Sequence, residues 1–474
     1  MVTKELLNPH LIDAQYAVRG PIVILAQQLE EQGRKIIYCN IGNPQALGQK
    51  PLSFLRQMLS LIEYPELLRH PEVLALFPKD IVERAKYILE KHPPGTGAYS
   101  QSPGIPFVRQ AVADFIARRD GIPTNRDQII LTDGASKGVQ AVITALLRTP
   151  RDGFMIPIPQ YPLYSASLAL YGGRQIGYYL DEADGWQLNE SILAESIEKA
   201  RSEGTNPVAI VVINPGNPTG SVLSAENVRM IIRFARARGL SIIADEVYQE
   251  NVYVSTLRFH SFASVMADMR EREVSLFSLH SVSKGFLGEC GHRGGYVEFR
   301  NIPDDVMAEF VKLQSISLCA NLSGQVATYM MVAPPRQGDE SYETYVRERN
   351  AVLSELKAKA EILGNGIAGI DGLSVDIPQG AMYAFVRLTL PPGENTSTMT
   401  TEQRLAYEEK RDTQYCLALL EQTGICVVPG SGFGQMPGTF HFRTTFLPPK
   451  AEIKELVVKL KTFHERYVRE VAEA

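Results

Sequence analysis

The chain has 474 residues, 45% of them hydrophobic, and a formal net charge of −5. That length allows roughly two to four compact units and a large buried core. A mildly acidic balance with no long Lys/Arg run argues against a nucleic-acid binder, and no apolar run approaches the ~18 residues of a membrane span.

Met1-Val-Thr-Lys-Glu5 is charged early and lacks a secretory apolar core. The last residues, Glu470-Val-Ala-Glu-Ala474, are not a peroxisomal signal. The five cysteines are scattered, with no Cys-x-x-Cys pair. They read as free thiols in a reducing compartment rather than metal ligands, so no metal and a cytoplasmic location are expected.

In chain order, residues 1–45 read as an N-terminal arm. Its Ile36-Ile-Tyr-Cys-Asn-Ile41 run predicts a strand, broken by Gly42-Asn-Pro44. Ile81, Val82, Ala85, Ile88 and Leu89 make one helical face; Val108, Ala111, Val112, Phe115 and Ile116 make another. Ile129–Thr132 predicts a short strand that runs into Gly134 and a helix. Val208–Ile213 is a continuous apolar run ended by Asn214-Pro-Gly-Asn-Pro218. Val228, Ile231, Ile232 and Ala235 mark a helix. Ser241–Ala244 is extended and stops at Asp245-Glu246. Val274–Leu279 repeats the pattern and stops at His280-Ser-Val-Ser-Lys284.

Apolar strands alternating with amphipathic helices predict an α/β fold, with a mainly parallel central sheet covered by helices on both faces. Residues 46–333 are expected to form this large domain. Pro334-Pro-Arg-Gln-Gly-Asp339 reads as its boundary. Residues 334–474 then form a smaller α/β domain, joined by part of the arm. Residues 391–402 read as a surface excursion and Gly430-Ser-Gly-Phe-Gly434 as a loop. Ile453, Leu456, Val457, Leu460, Phe463 and Tyr467 place a core-facing stripe on the last helix.

In such sheets ligands sit beyond the carboxyl ends of the strands. Four polar clusters, Gly134–Lys137, Asn214–Gly220, Asp245–Tyr248 and Ser281–Lys284, each follow a strand-like run. They would therefore point at one crevice. Lys284 alone would be a solvated surface charge; after a buried strand among small residues it becomes a desolvated amine, nucleophilic toward aldehydes. Asp245 is either a helix cap or a counter-ion for a protonated ring nitrogen. Asn217 belongs to a rigid turn that could hold an amide donor. Ala135 and Ser136 open a helix, as an ordinary N-cap or as an anion cradle. Arg293, among glycines, has room to approach a phosphate. Arg443, on an alternating strand, suits a bidentate grip on a carboxylate, although most arginines make surface ion pairs. Tyr161, held between prolines, packs in the core or stacks on a planar ring.

Asn214-Pro-Gly-Asn-Pro-Thr-Gly220, Asp245-Glu-Val-Tyr248 and Ser281-Val-Ser-Lys284 resemble, in this order, the motifs of the class I/II aminotransferases, pyridoxal-phosphate enzymes of fold type I. Within that family, Tyr16-Ala-Val-Arg-Gly-Pro-Ile22, Gly97-Ala-Tyr-Ser100 and the glycine-rich stretch 283–295 are similar to the branch acting on alanine. The resemblance implies that Lys284 bonds the cofactor aldehyde and then shuttles a proton between Cα and C4′. It implies that Asp245 pairs with the pyridinium nitrogen, that Asn217 and Tyr248 bond the phenolic oxygen, and that Tyr161 stacks on the ring. Ala135, Ser136, Ser281 and Arg293 would hold the phosphate. Tyr99 would reach the phosphate of the other subunit of a homodimer. Arg443 would grip the substrate α-carboxylate, with Gly42 lining that site. Arg19 is a bare guess for the distal carboxylate of glutamate.

The implied reaction moves the amino group of L-alanine to 2-oxoglutarate, giving pyruvate and L-glutamate. Partners would be small amino and 2-oxo acids, with no nucleic acid and no membrane. The alternatives are a glyoxylate-directed aminotransferase, a related lyase, or a silent regulatory module on the same fold.

Overall fold

Strands that are apolar along their whole length must be covered on both faces, and helices that cross between parallel strands supply the cover. The computed structural model, which describes residues 2–16, 20–391, 400, 407 and 410–473, is built on this principle. The arm contributes β1 (Ile37–Tyr38). The central sheet contains β2 (Ile129–Thr132), β3 (Asp152–Ile158), β4 (Arg174–Tyr179), β5 (Asn206–Ile213), β6 (Ser241–Asp245), β7 (Leu276–Ser281) and β8 (Gly295–Arg300). Their order across the sheet is β2-β8-β7-β6-β5-β3-β4. Among the described residues of this sheet, β8 alone runs against its neighbours, pairing antiparallel with both β2 and β7.

Local chemistry sets the helix ends. Gly134, at φ 76°, admits the turn that starts the helix Ala135–Leu146. Ser224 Oγ accepts from Asn227 N–H at 3.1 Å and caps Ala225–Arg238, the crossover between β5 and β6. Ile231, Ile232 and Ala235 of that helix pack with Ile210, Val212, Ile242 and Ala244 on one face of the sheet. Val139, Val142 and Ile143 pack with Val211, Ile243 and Leu279 on the other.

The second unit is an antiparallel sheet of β9 (Leu373–Ser374), β10 (Tyr383–Leu388), β12 (Val428–Pro429) and β13 (Phe440–Thr445), in the order β12-β13-β10-β9. The helices Tyr342–Ala368, Arg411–Thr423 and Lys450–Glu473 belong to the same unit. The final stripe of Ile453, Leu456, Leu460 and Phe463 is buried in its core. That core extends to Ile37 in the arm and to Val247 and Tyr248 of the central unit.

Two local expectations differ. The arm strand is shorter than 36–41: β1 pairs in parallel with β11 (Ile425–Cys426) over two residues only. Cys39 N–H still donates to Cys426 O of β11, but beyond it the partners change: Cys39 O accepts from Thr445 N–H and Asn40 O accepts from the Arg443 side chain. The segment Gly430–Phe433 is a 3-10 turn rather than an open loop, because Asp412 accepts from the Ser431 N–H at 2.6 Å and from its hydroxyl at 3.0 Å. The excursion at 391–402 lies almost wholly outside the described residues, and Arg19 lies outside them too. Among the described residues no helix is long and apolar enough to cross a membrane.

Candidate active site

The carboxyl ends of β2, β3, β5, β6 and β7 open on one side of the sheet, and the segments that leave them line a cavity of about 450 Å³. Ala135, Ser136, Tyr161, Asn217, Asp245, Tyr248, Ser281, Lys284 and Arg293 all line it. Gly42 arrives from the arm and Arg443 from β13. Tyr99 does not; its side chain stands 74% exposed elsewhere on the surface. A second cavity of about 680 Å³ lies on the other side of Lys284, lined by Arg118, Arg336 and Arg349 among apolar groups. It lacks Asp245, Asn217 and Arg443, which meet Lys284 only in the first of the two.

Asp245 ends β6, fully buried beneath the cavity floor. Tyr164 donates to its Oδ2 at 2.8 Å, whereas Oδ1 has no partner. Burial pushes this carboxyl up to about 6, while the hydrogen bond from Tyr164, the nearby Val247 N–H and the charge of Lys284 restrain the rise. Lys284 is half-buried and its Nζ donates to Gly42 O at 2.6 Å. Arg443 is 1% exposed. Its Nη2 donates to Asn40 O at 2.5 Å and its Nη1 to Asn217 Oδ1 at 3.2 Å, leaving Nε without a partner. Its guanidinium carbon lies 4.3 Å from the Tyr383 ring centre and 4.6 Å from that of Phe433, a sandwich suited to a planar cation.

At the other end of the cavity, Arg293 adopts a left-handed backbone at φ 51°. Its Nη2 donates to Asp133 O at 2.9 Å and to Ser136 Oγ at 3.2 Å, beside the first turn of Ala135–Leu146. A Cβ on Gly134 would stand 2.7 Å from that Nη2, so only glycine leaves the approach open. The unpaired N–H groups of a helix start, a serine hydroxyl and a guanidinium make a strong anion cradle.

Among the lining residues that the sequence does not mark as site groups are Tyr16, Tyr383 and Cys290. Tyr16, from the arm, shares a 2.9 Å hydrogen bond with the Tyr161 hydroxyl. Tyr383 lies against Tyr248, and Cys290 has its Sγ 3.0 Å from Ser283 O. Tyr164 lies behind the cavity and was also missed. Its one signal was its position three residues beyond Tyr161, in the first turn of the helix Leu163–Tyr171.

The family described as Aminotransferase class I and II matches residues 71–460. The chain belongs to it. It is 46% identical to "Alanine aminotransferase 2, mitochondrial" of Arabidopsis thaliana, over 99% of this chain and 88% of that one. It is 47% identical to "Probable alanine aminotransferase, mitochondrial" of Dictyostelium discoideum, over 96% and 87%. The solved alanine aminotransferase of Pyrococcus furiosus superposes with a TM-score of 0.77 at 25% identity, covering 97% of this chain and 100% of that one. The fold is therefore that of the fold type I pyridoxal-phosphate enzymes, and the protein is a pyridoxal-phosphate-dependent transaminase. Both curated relatives are named mitochondrial, which overturns the expectation of a cytoplasmic enzyme. That expectation came from cysteine usage, and free thiols report a reducing environment, not an organelle.

The residues present fit the cofactor. Asp245 Oδ1 is a buried acceptor with nothing to accept, which a protonated ring nitrogen would satisfy. The cradle at Gly134, Ser136 and Arg293 has the chemistry of a phosphate site. Among the described residues no group of three or more His, Cys, Asp or Glu side chains is placed to hold a metal.

Proposed function

We propose that this transaminase transfers the amino group of L-alanine to 2-oxoglutarate. The observation that carries this is the gathering of Lys284, the half-satisfied Asp245 and Arg443 in one cavity, in a chain similar to two proteins named for alanine. Bound pyridoxal phosphate supplies an aldehyde and a protonated ring that accepts the electron pair left when the Cα proton departs.

The protein's own groups do the rest. The buried Asp245 Oδ1 would accept from the protonated ring nitrogen, and its charge would keep that proton in place. Ser136, Ser281, Arg293 and the N–H groups from Ala135 onward hold the phosphate. Tyr161 would pack on the ring, while Asn217 and Tyr248 would hold its phenolic oxygen. Arg443 meets the substrate α-carboxylate with its fork, beside Gly42. This orients the Cα–H bond toward Lys284, whose free amine takes that proton at high effective concentration. Residues 46–333 form the large cofactor-binding domain and residues 334–474 the small one, joined by part of the arm, 1–45. Tyr99 serves the phosphate of the partner in a homodimer.

The test is spectroscopic. The visible band of the purified holoenzyme should shift on adding alanine and return on adding 2-oxoglutarate. A band that ignores alanine would sink the reading, and faster return with glyoxylate would replace the acceptor. Lys284→Ala should abolish turnover while the phosphate cradle still retains some cofactor.

A further inference from the structure

The mechanism above leaves Tyr383 without a task. Tyr383 opens β10 and is 3% exposed, with its hydroxyl at the cavity wall. A Cβ built on Gly42 would stand 1.8 Å from the Tyr383 oxygen and 3.1 Å from Lys284 Nζ, so phenol and amine converge on one point of the arm. Tyr248 donates to the same oxygen at 3.3 Å. The ring carries the Arg443 guanidinium at 4.3 Å. We propose that Tyr383 is a positioning residue for Lys284, its phenolic oxygen holding the amine in line with the substrate Cα once that amine takes up a proton. This deepens the aminotransferase reading and rests on it.

The argument is one of acceptors. Freed of the aldehyde, Lys284 has one hydrogen-bond acceptor in place, the Gly42 carbonyl. On taking the Cα proton it becomes an ammonium with three donors in a dry cavity, and each unmet donor costs stabilisation. One proton passes from Cα to Nζ, and nothing bonded to Tyr383 breaks. The surroundings favour negative charge on the phenolic oxygen. Burial pushes up the neighbouring Tyr161, Tyr164 and Tyr248 hydroxyls. Burial acts on Tyr383 in the same sense, but Lys284, Arg443 and the hydrogen bond from Tyr248 outweigh it, against a small opposing effect of Cys290. The hydroxyl therefore comes down from the ordinary tyrosine value. The competing role is a flat wall beneath Arg443, which a phenylalanine would serve equally well.

Tyr383→Phe in the holoenzyme separates these roles. The expected result is a kcat for alanine lower by roughly ten- to hundredfold, with KM changed less than about twofold and a larger isotope effect from α-deuterated alanine. The cofactor-free variant should also lose a tyrosinate absorbance that titrates below the ordinary tyrosine value. Tyr383→Leu, which removes ring and oxygen together, should share the larger isotope effect. Impairment of Tyr383→Leu alone, or a raised KM with unchanged kcat, would reduce Tyr383 to packing and overturn the proposal. Wild-type protein unable to use alanine would instead overturn the proposed donor, while the substrate-free tyrosinate titration would still report on Tyr383.

Discussion

Tyr164 donates its phenolic proton to Asp245 Oδ2 at 2.8 Å and leaves Oδ1 bare. In the cofactor-free chain the charged form of Asp245 is thus a buried anion only half compensated. A carboxyl raised to about 6 on folding contributes stability that is fully present below its unfolded value. That contribution is lost as pH climbs through about 6, because the folded chain must then hold the charge. Asp245→Asn removes the charge and keeps an acceptor for Tyr164. Without cofactor, the variant should melt above wild type at pH 8 and level with it near pH 4, a difference of at most about 3 kcal/mol. With cofactor, turnover should fall at least about a hundredfold, since the ring nitrogen loses its anion. Equal melting at both pH values would show that Asp245 carries no buried charge.

Arg443 is held as a planar cation between the rings of Tyr383 and Phe433, and its amines are also tied to Asn40 and Asn217. Lysine keeps the charge but has neither the plane nor the fork. Arg443→Lys should raise KM for alanine and for 2-oxoglutarate together, by roughly ten- to a hundredfold, a cost of about 1.5–3 kcal/mol for a lost charged hydrogen bond. The visible spectrum of the resting enzyme should stay as it was. A changed spectrum with unchanged KM would place Arg443 against the cofactor rather than the substrate.

Much of this site could be read from the chain because parallel strands end at the same side of their sheet. Asn217, Asp245 and Lys284 each follow an apolar run, and that local pattern sufficed to point them at one crevice. Tyr383 had no such mark. It reaches the cavity because β10 pairs with β13 in a register that sets Phe385 opposite Arg443, a pairing made between residues far apart in sequence. Tyr164 reads as a core aromatic until the fold lays its hydroxyl against Asp245. The reversed direction of β8 was equally hidden, since a buried strand is apolar whichever way it runs. The short β1 was overcalled for a related reason: extended, apolar residues need not find a ladder partner, and Asn40 found Arg443.

Tyr99 stands at 74% exposure and is not among the residues that line the cavity of its own chain. In its own chain an exposed phenol has little structural work, and surface substitutions of this kind change stability by less than about 0.5 kcal/mol. If the partner's phosphate site is where it acts, Tyr99→Phe should leave the cofactor-free chain as stable as before. Cofactor retention should nevertheless weaken roughly tenfold through loss of one charge-assisted hydrogen bond. The effect should depend on assembly: dilution that dissociates the dimer should loosen the cofactor of wild type to the level of the variant. Equilibrium dialysis at several protein concentrations, read beside sedimentation, measures both. Unchanged retention in the variant, or a wild-type monomer that binds as tightly as its dimer, would confine the phosphate site to a single chain.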